Sequence, residues 1–281
     1  MPTSHGPAGT SPRQLINPRE RVYYAAMVVV SLLVYGGLIF AGLSTPEAGT
    51  NITMYATYAL MFAFFSFFAQ GLALGRVRGN AVRVSERQFP QLYHLAATHA
   101  RRLGLKQVPS VYVVESGGLL NAFATRFLGR DFVIVYSDVL ELALSQGEAA
   151  VGFIMGHELA HLWRGHLKHR WLTLPGRFVP YLGAAYSRAC EYTCDRIGAF
   201  CQPEGAISGL LALAAGKQLH AHVDVKEYAA QAETERDFWT KRVELMSTHP
   251  LLPKRVAALL KAGIAVPARS QWSLSQTAAA A

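Results

Sequence analysis

The run Val151-Gly-Phe-Ile-Met-Gly-His157-Glu158-Leu159-Ala160-His161-Leu-Trp163 decides how this chain is read. Ser145 has the character of a helix N-cap, with Glu148 at the third position after it. The pattern predicts a helix from there to about His169. On a helix, residues four apart stand one above the other on the same face. His157 and His161 therefore aim two imidazoles at one point. Glu158 is one residue further round, within reach of a water at that point without sharing it. That is the donor pattern of a zinc hydrolase helix. The bland alternative is a solvated face with two unrelated histidines. The residues around the motif are apolar, however, and two imidazoles and a carboxylate in that setting need partners.

A zinc site of this kind takes a third protein ligand and keeps one position open. Downstream stands Ser187-Arg-Ala-Cys190-Glu191-Tyr-Thr-Cys194-Asp195. Glu191 can supply the third ligand. Asp195, one helical turn on, can accept the remaining N–H of a ligand imidazole and fix its tautomer. A surface charge pair is the alternative; Ala189, Cys190, Cys194, Ile197 and Ala199 around it favour burial. Cys190 and Cys194 also have suitable spacing for a metal, but a fourth protein ligand would close the site. His166 and His169 are expected to face solvent or an acidic neighbour. Arg196 is a weak candidate for stabilising an oxyanion.

Working outward, the chain of 281 residues is 51% apolar and only 16% charged, more apolar than an ordinary soluble domain. Val22–Leu43 and Met54–Leu74 carry no charge, and each is about long enough to cross a hydrocarbon core, which takes roughly 20 residues. Tyr23, Tyr24, Tyr55 and Tyr58 lie near their ends, where an interfacial belt would put them. The connector Ser44–Ile52 has no Lys or Arg, whereas Arg13, Arg19 and Arg21 precede the first span and Arg76, Arg78, Arg83 and Arg87 follow the second. The positive-inside rule then puts the N-terminus and everything after Leu74 in the cytoplasm, for a bacterial-type inner membrane. The net charge of +9 comes without any aromatic-basic motif, so no nucleic-acid partner is expected. Cys190, Cys194 and Cys201 are an odd, clustered set and do not read as a disulfide framework.

Residues 1–18, rich in Pro, Gly and Ser, and residues 264–281 are expected to be disordered. Between them lie a two-helix membrane anchor (19–75) and a catalytic domain (76–263). In that domain Glu86–Leu103 reads as a helix, Ser110–Val114 as a strand, and Asn121–Arg126 with Phe132–Tyr136 as a hairpin. Helical patterns recur over Arg188–Phe200, Ala206–Gly216 and Val225–Met246 and after Pro250. The fold class is mainly α with a small β-sheet (α+β). Trp171–Tyr186, with Arg177, Pro175 and Pro180, is too short and broken to span; it is expected in the membrane interface or over the cleft as a plug.

The zinc motif, the Glu191…Asp195 element, Asn121-Ala122-Phe123-Ala124 and Ser247-Thr248-His249-Pro250 followed by Arg255 together resemble the HtpX-like and CAAX prenyl-protease family of membrane zinc peptidases. The resemblance covers roughly Arg76 to Leu260. It implies a gluzincin-type domain with His157, His161 and Glu191 on one Zn2+ per chain, Glu158 as catalytic base and Asp195 behind the ligands. It also implies that the strand at Asn121–Ala124 borders the cleft, where an open edge can hold an extended polypeptide. His249 falls in the family's His-Pro element, but it is read mainly as part of a helix start, with Thr248 as cap and Pro250 at the first position. The resulting expectation is a membrane-anchored zinc endopeptidase for membrane or membrane-proximal proteins, serving quality control. The alternatives are a zinc-containing membrane scaffold or chaperone-like binder with a plugged cleft, a latent zymogen, or a hydrolase of non-peptide amides or esters. The sequence does not specify an oligomeric state.

Overall fold

The computed structural model describes residues 11–115, 117, 121–146 and 148–266. The expected disorder of residues 1–10 and 267–281 falls outside them. Eleven α-helices and four strands follow in order among the described residues: α1 (Pro18–Leu43), α2 (Ala48–Asn80), β1 (Val82–Arg83), α3 (Pro90–Arg102), β2 (Ser110–Val114), β3 (Ala122–Phe127), β4 (Arg130–Tyr136), α4 (Ser137–Gln146), α5 (Ala149–Arg164), α6 (Leu174–Phe178), α7 (Leu182–Cys201), α8 (Ala206–Leu219), α9 (Val225–Thr234), α10 (Phe238–Met246) and α11 (Leu252–Lys261). The α+β class read from the sequence is the class observed.

The sheet has the order β1-β2-β4-β3. β2 runs parallel to β4, with Ser110 beside Phe132 and Val114 beside Tyr136. β3 and β4 form the expected antiparallel hairpin, with Ala122 opposite Val135 and Phe127 opposite Arg130. β3 is therefore an edge strand, and it lies against α5. The main core gathers around α5: Phe153, Met155 and Leu159 meet Ile197 of α7, Ile207 and Leu210 of α8, and Leu259 of α11. Fully burying side chains of this size contributes about 1.5–3 kcal/mol each.

The two apolar runs are long helices whose large side chains, such as Leu33, Phe40, Leu60 and Phe65, point outward rather than into the protein. Both are long and apolar enough to cross a membrane. At 26 and 33 residues they exceed the charge-free runs, because helix propensity continues into the polar ends.

Several boundaries differ from the sequence expectation. Ser145 lies in the last turn of α4 and Glu148 is itself the N-cap of α5, so no capping box starts that helix. α5 stops at Arg164 rather than His169 because Gly165 takes a left-handed conformation (φ 71°), which glycine adopts without a Cβ clash. Val225–Met246 is two helices; the Asp237 carboxylate accepts from the Thr240 N–H at 2.6 Å and caps the second. The last helix starts at Leu252, after Leu251 as N-cap and with Pro253 in its first turn, so Thr248 and Pro250 precede it. Residues 11–17, expected to lack structure, are pinned instead. Ser11 caps a short 3-10 turn (Pro12–Leu15), and the Asn17 N–H donates to Thr193 Oγ1 of α7 at 3.0 Å.

Trp171–Tyr186 holds α6 and packs on α1. The Tyr35 hydroxyl donates to the Trp171 carbonyl at 2.7 Å, and the Gly176 N–H donates to Ser31 Oγ at 2.9 Å. Trp171, Phe178 and Tyr181 remain exposed beside the long helices.

Candidate active site

α5 carries His157, Glu158 and His161, and α7 carries Glu191 and Asp195. The two helices approach closely because two glycines meet at their crossing. A Cβ on Gly156 would stand 2.8 Å from the Cys201 Cβ, and one on Gly198 would stand 2.9 Å from the Phe153 carbonyl oxygen. That approach puts the Glu191 carboxylate in front of both imidazoles. His157 Nε2 lies 3.4 Å from Glu191 Oε2, and His161 Nε2 lies 3.3 Å from Oε1.

Behind His157, Nδ1 donates to Asp195 Oδ1 at 3.0 Å. Asp195 in turn is clamped by Arg255 of α11, whose Nε donates to Oδ2 at 2.8 Å and Nη2 to Oδ1 at 2.5 Å. Arg255 Nη2 also lies 3.5 Å from Glu191 Oε2. The sequence placed Arg255 in a motif without giving it a role. A buried arginine bridging two carboxylates is its observed place, and only the motif spacing could have signalled it.

Glu158, Glu191, Asp195 and Arg255 are all buried. Three carboxylates and one guanidinium leave the cluster two positive charges short when the imidazoles are neutral, and buried charge of this kind requires compensation. Burial alone would lower the pKa of His157, but Glu191 and Asp195 outweigh it and raise it to about 10. Burial opposes ionisation of Glu191 and Asp195, yet His157 holds the first carboxyl well below its usual range and Arg255 lowers the second. Glu158 goes the other way: burial pushes it up, only partly offset by His157 and His161.

The donor set fits a divalent cation. Glu191 Oε2 is buried with no hydrogen-bond partner, and two imidazole nitrogens face the same carboxylate. Cys194 Sγ also lies within 4.8 Å of a ring nitrogen of each histidine. Glu191 is the better third donor, because its oxygens face both Nε2 atoms. Burial, and next Glu191, push the Cys194 thiol well above its ordinary range, and its sulfur stands 3.9 Å from His166 Nδ1. Cys190, Cys194 and Cys201 are free and buried.

The sequence profile of peptidase family M48 matches residues 86–262, more than half of the chain. The chain belongs to peptidase family M48. It is a metallopeptidase, and the matched region contains every residue of the cluster from His157 to Arg255 but neither of the two long apolar helices. No solved structure matches the chain.

Other residues of this M48 domain fall as follows. Ala124 lies on β3, the edge strand that packs against α5, opposite Val133 of β4. On the same strand, Asn121 Oδ1 accepts the Ala122 N–H at 2.9 Å, and Phe123 is exposed. His249 is 64% exposed, with Nε2 3.6 Å from Glu191 Oε1; it faces the cluster rather than starting a helix. Arg196 lines a groove with Tyr23, Arg188 and Glu233, away from the cluster, and is no oxyanion donor in this geometry. His169 is exposed, and His166 meets an acidic neighbour, Glu20.

Proposed function

We propose that this M48 peptidase is a zinc-dependent endopeptidase, anchored in a bilayer by α1 and α2, that cuts membrane or membrane-proximal polypeptides. The observation that carries the reading is the convergence of His157, His161 and Glu191, with Glu158 set between that cluster and an open strand edge. Zinc bound there supplies a Lewis acid that polarises a carbonyl and acidifies water. Glu158 takes a proton from the attacking water and passes it to the leaving amine. Its upward-shifted carboxyl suits both transfers. Asp195 holds the His157 ring with Nε2 turned toward the cluster, and Arg255 holds Asp195. The outer edge of β3 binds substrate backbone as an added strand, with Asn121, Ala122, Phe123 and Ala124 along it and His249 on the facing side.

The arginines flanking α1 and α2, and the Ser44–Ile52 connector that lacks them, support an orientation with the N-terminus and the peptidase domain on the cytoplasmic side of a bacterial-type inner membrane. Exposed Trp171, Phe178 and Tyr181 beside these helices suit the interface of that bilayer.

The test is cleavage of casein and of a membrane-protein substrate by the detergent-purified full chain. The wild type should cut, a chelator should stop it and added zinc should restore it. Glu158→Gln should lower turnover at least about a hundredfold, the scale of a lost general base. Full turnover in Glu158→Gln would refute the assignment.

A further inference from the structure

Glu20 opens α1, yet it is only 2% exposed. Its carboxylate joins three parts of the protein. Oε1 accepts from Arg164 Nε at 2.9 Å and Nη2 at 2.5 Å, and it lies 3.2 Å from His166 Nε2. Oε2 accepts from the Thr193 hydroxyl of α7 at 2.5 Å. His166 follows the left-handed Gly165, and its second nitrogen, Nδ1, lies 3.0 Å from Nδ1 of His161.

Hydrogen bookkeeping gives this chain a direction. Two facing ring nitrogens bond only when one carries a hydrogen and the other does not. A carboxylate that already takes three donated hydrogens is an acceptor, so His166 Nε2 carries the hydrogen in the bond to Glu20. In a neutral ring His166 Nδ1 is then bare and accepts from His161 Nδ1–H. His161 Nε2 keeps its lone pair, on the side where Glu191 Oε1 stands 3.3 Å away. Cys194 Sγ, 3.9 Å from His166 Nδ1, is a more distant competitor for that acceptor.

We propose that Glu20, on the helix that continues into the first apolar span, is a positioning residue of the peptidase site: through His166 it fixes the tautomer and ring orientation of His161. The relay rests on the zinc reading above. It gives His161 what Asp195 gives His157, but from a segment outside the region matched to the family. Glu20, His166 and Cys190 also lie within 4.8 Å of one another as a metal-ligating set. Arg164 already places its cation on Glu20 Oε1, which leaves that oxygen no need of a second.

The experiment measures the zinc dissociation constant of the full chain in detergent, by competition with a chelator of known affinity. Wild type is compared with Glu20→Gln, His166→Phe, His166→Gln and the double variant Glu20→Gln/His166→Phe. Circular dichroism and the melting temperature of the zinc-free proteins report folding separately. Glu20→Gln and His166→Phe should each weaken zinc binding about ten- to hundredfold, the usual scale for a partner behind a ligand. The double variant should bind no worse than His166→Phe alone, because the links act in series. His166→Gln offers a carbonyl to His161 and an amide to Glu20, so it should bind more tightly than His166→Phe. Folded variants with wild-type affinity, losses that multiply in the double variant, or a glutamine no better than phenylalanine would overturn the relay alone. If Glu20→Gln does not fold, the two His166 variants decide by the same criteria. A wild type that binds no zinc overturns the zinc reading and the relay with it.

Discussion

His157 and His161 stand one turn apart on α5 and present the same nitrogen to the same carboxylate, yet they are held from behind in different ways. His157 rests on Asp195 and Arg255, both buried and both within the catalytic domain. His161 rests on His166 and, beyond it, on Glu20 of α1. The first arrangement travels with the domain. The second exists only when the start of α1 is docked, which the Asn17–Thr193 and Glu20–Thr193 hydrogen bonds accomplish. The same motif can thus have one half built into the domain and the other half supplied by the long apolar helix that precedes it.

The largest expected effect breaks the His157 side. Arg255→Met leaves Asp195 and Glu191 buried without their guanidinium, and removing one partner of a buried ion pair costs about 3–5 kcal/mol. Denaturant unfolding of the zinc-free protein should show that loss while the Glu20–Arg164 pair stays intact. A loss under about 1 kcal/mol would mean that His157 does not depend on this clamp.

Acid sensitivity separates loss of fold from loss of either support. His99 is buried on α3; burial, and next Arg102, lower its pKa from 6.5 to about 4. The unfolded chain then binds more protons than the folded one between these values. The His99 contribution to stability is full above pH 6.5 and is lost as the pH drops toward 4, by about 3 kcal/mol. His99→Met should flatten the unfolding free energy across that window. An unchanged slope would place the acid sensitivity elsewhere.

A smaller effect should touch both histidines together. Gly198→Ala drives a Cβ against the Phe153 carbonyl and moves α7, which bears Glu191, Thr193 and Asp195. Overpacking of this kind costs about 1–3 kcal/mol, and zinc affinity should fall with stability. Loss of stability with unchanged zinc affinity would show that the spacing of α5 and α7 does not set the site.

The legibility of these features follows the same division. Four-residue spacing on a helix is written locally, so His157, His161, Glu191 and Asp195 could be named from the sequence and fell together. The β3–β4 hairpin was legible through its pattern, whereas its open edge was expected only from the family resemblance. Helix ends were not, because a left-handed glycine at 165 and a cap at Asp237 override the apolar periodicity that suggested longer helices. Glu20 was illegible for a different reason: its partners Arg164, His166 and Thr193 lie more than 140 residues away. A lone glutamate at the head of an apolar helix carries no pattern that points to them. Arg255 showed as part of a motif, but its partner became visible only when α11 packed on α7.

The most direct test of the account is the zinc content of the purified full chain, measured for wild type, Glu158→Gln, Glu191→Gln and Cys194→Ser. About one zinc per chain is expected in wild type, Glu158→Gln and Cys194→Ser, with little retained by Glu191→Gln. Zinc retained in full by Glu191→Gln but lost from Cys194→Ser would contradict the account and move the third ligand to the thiol.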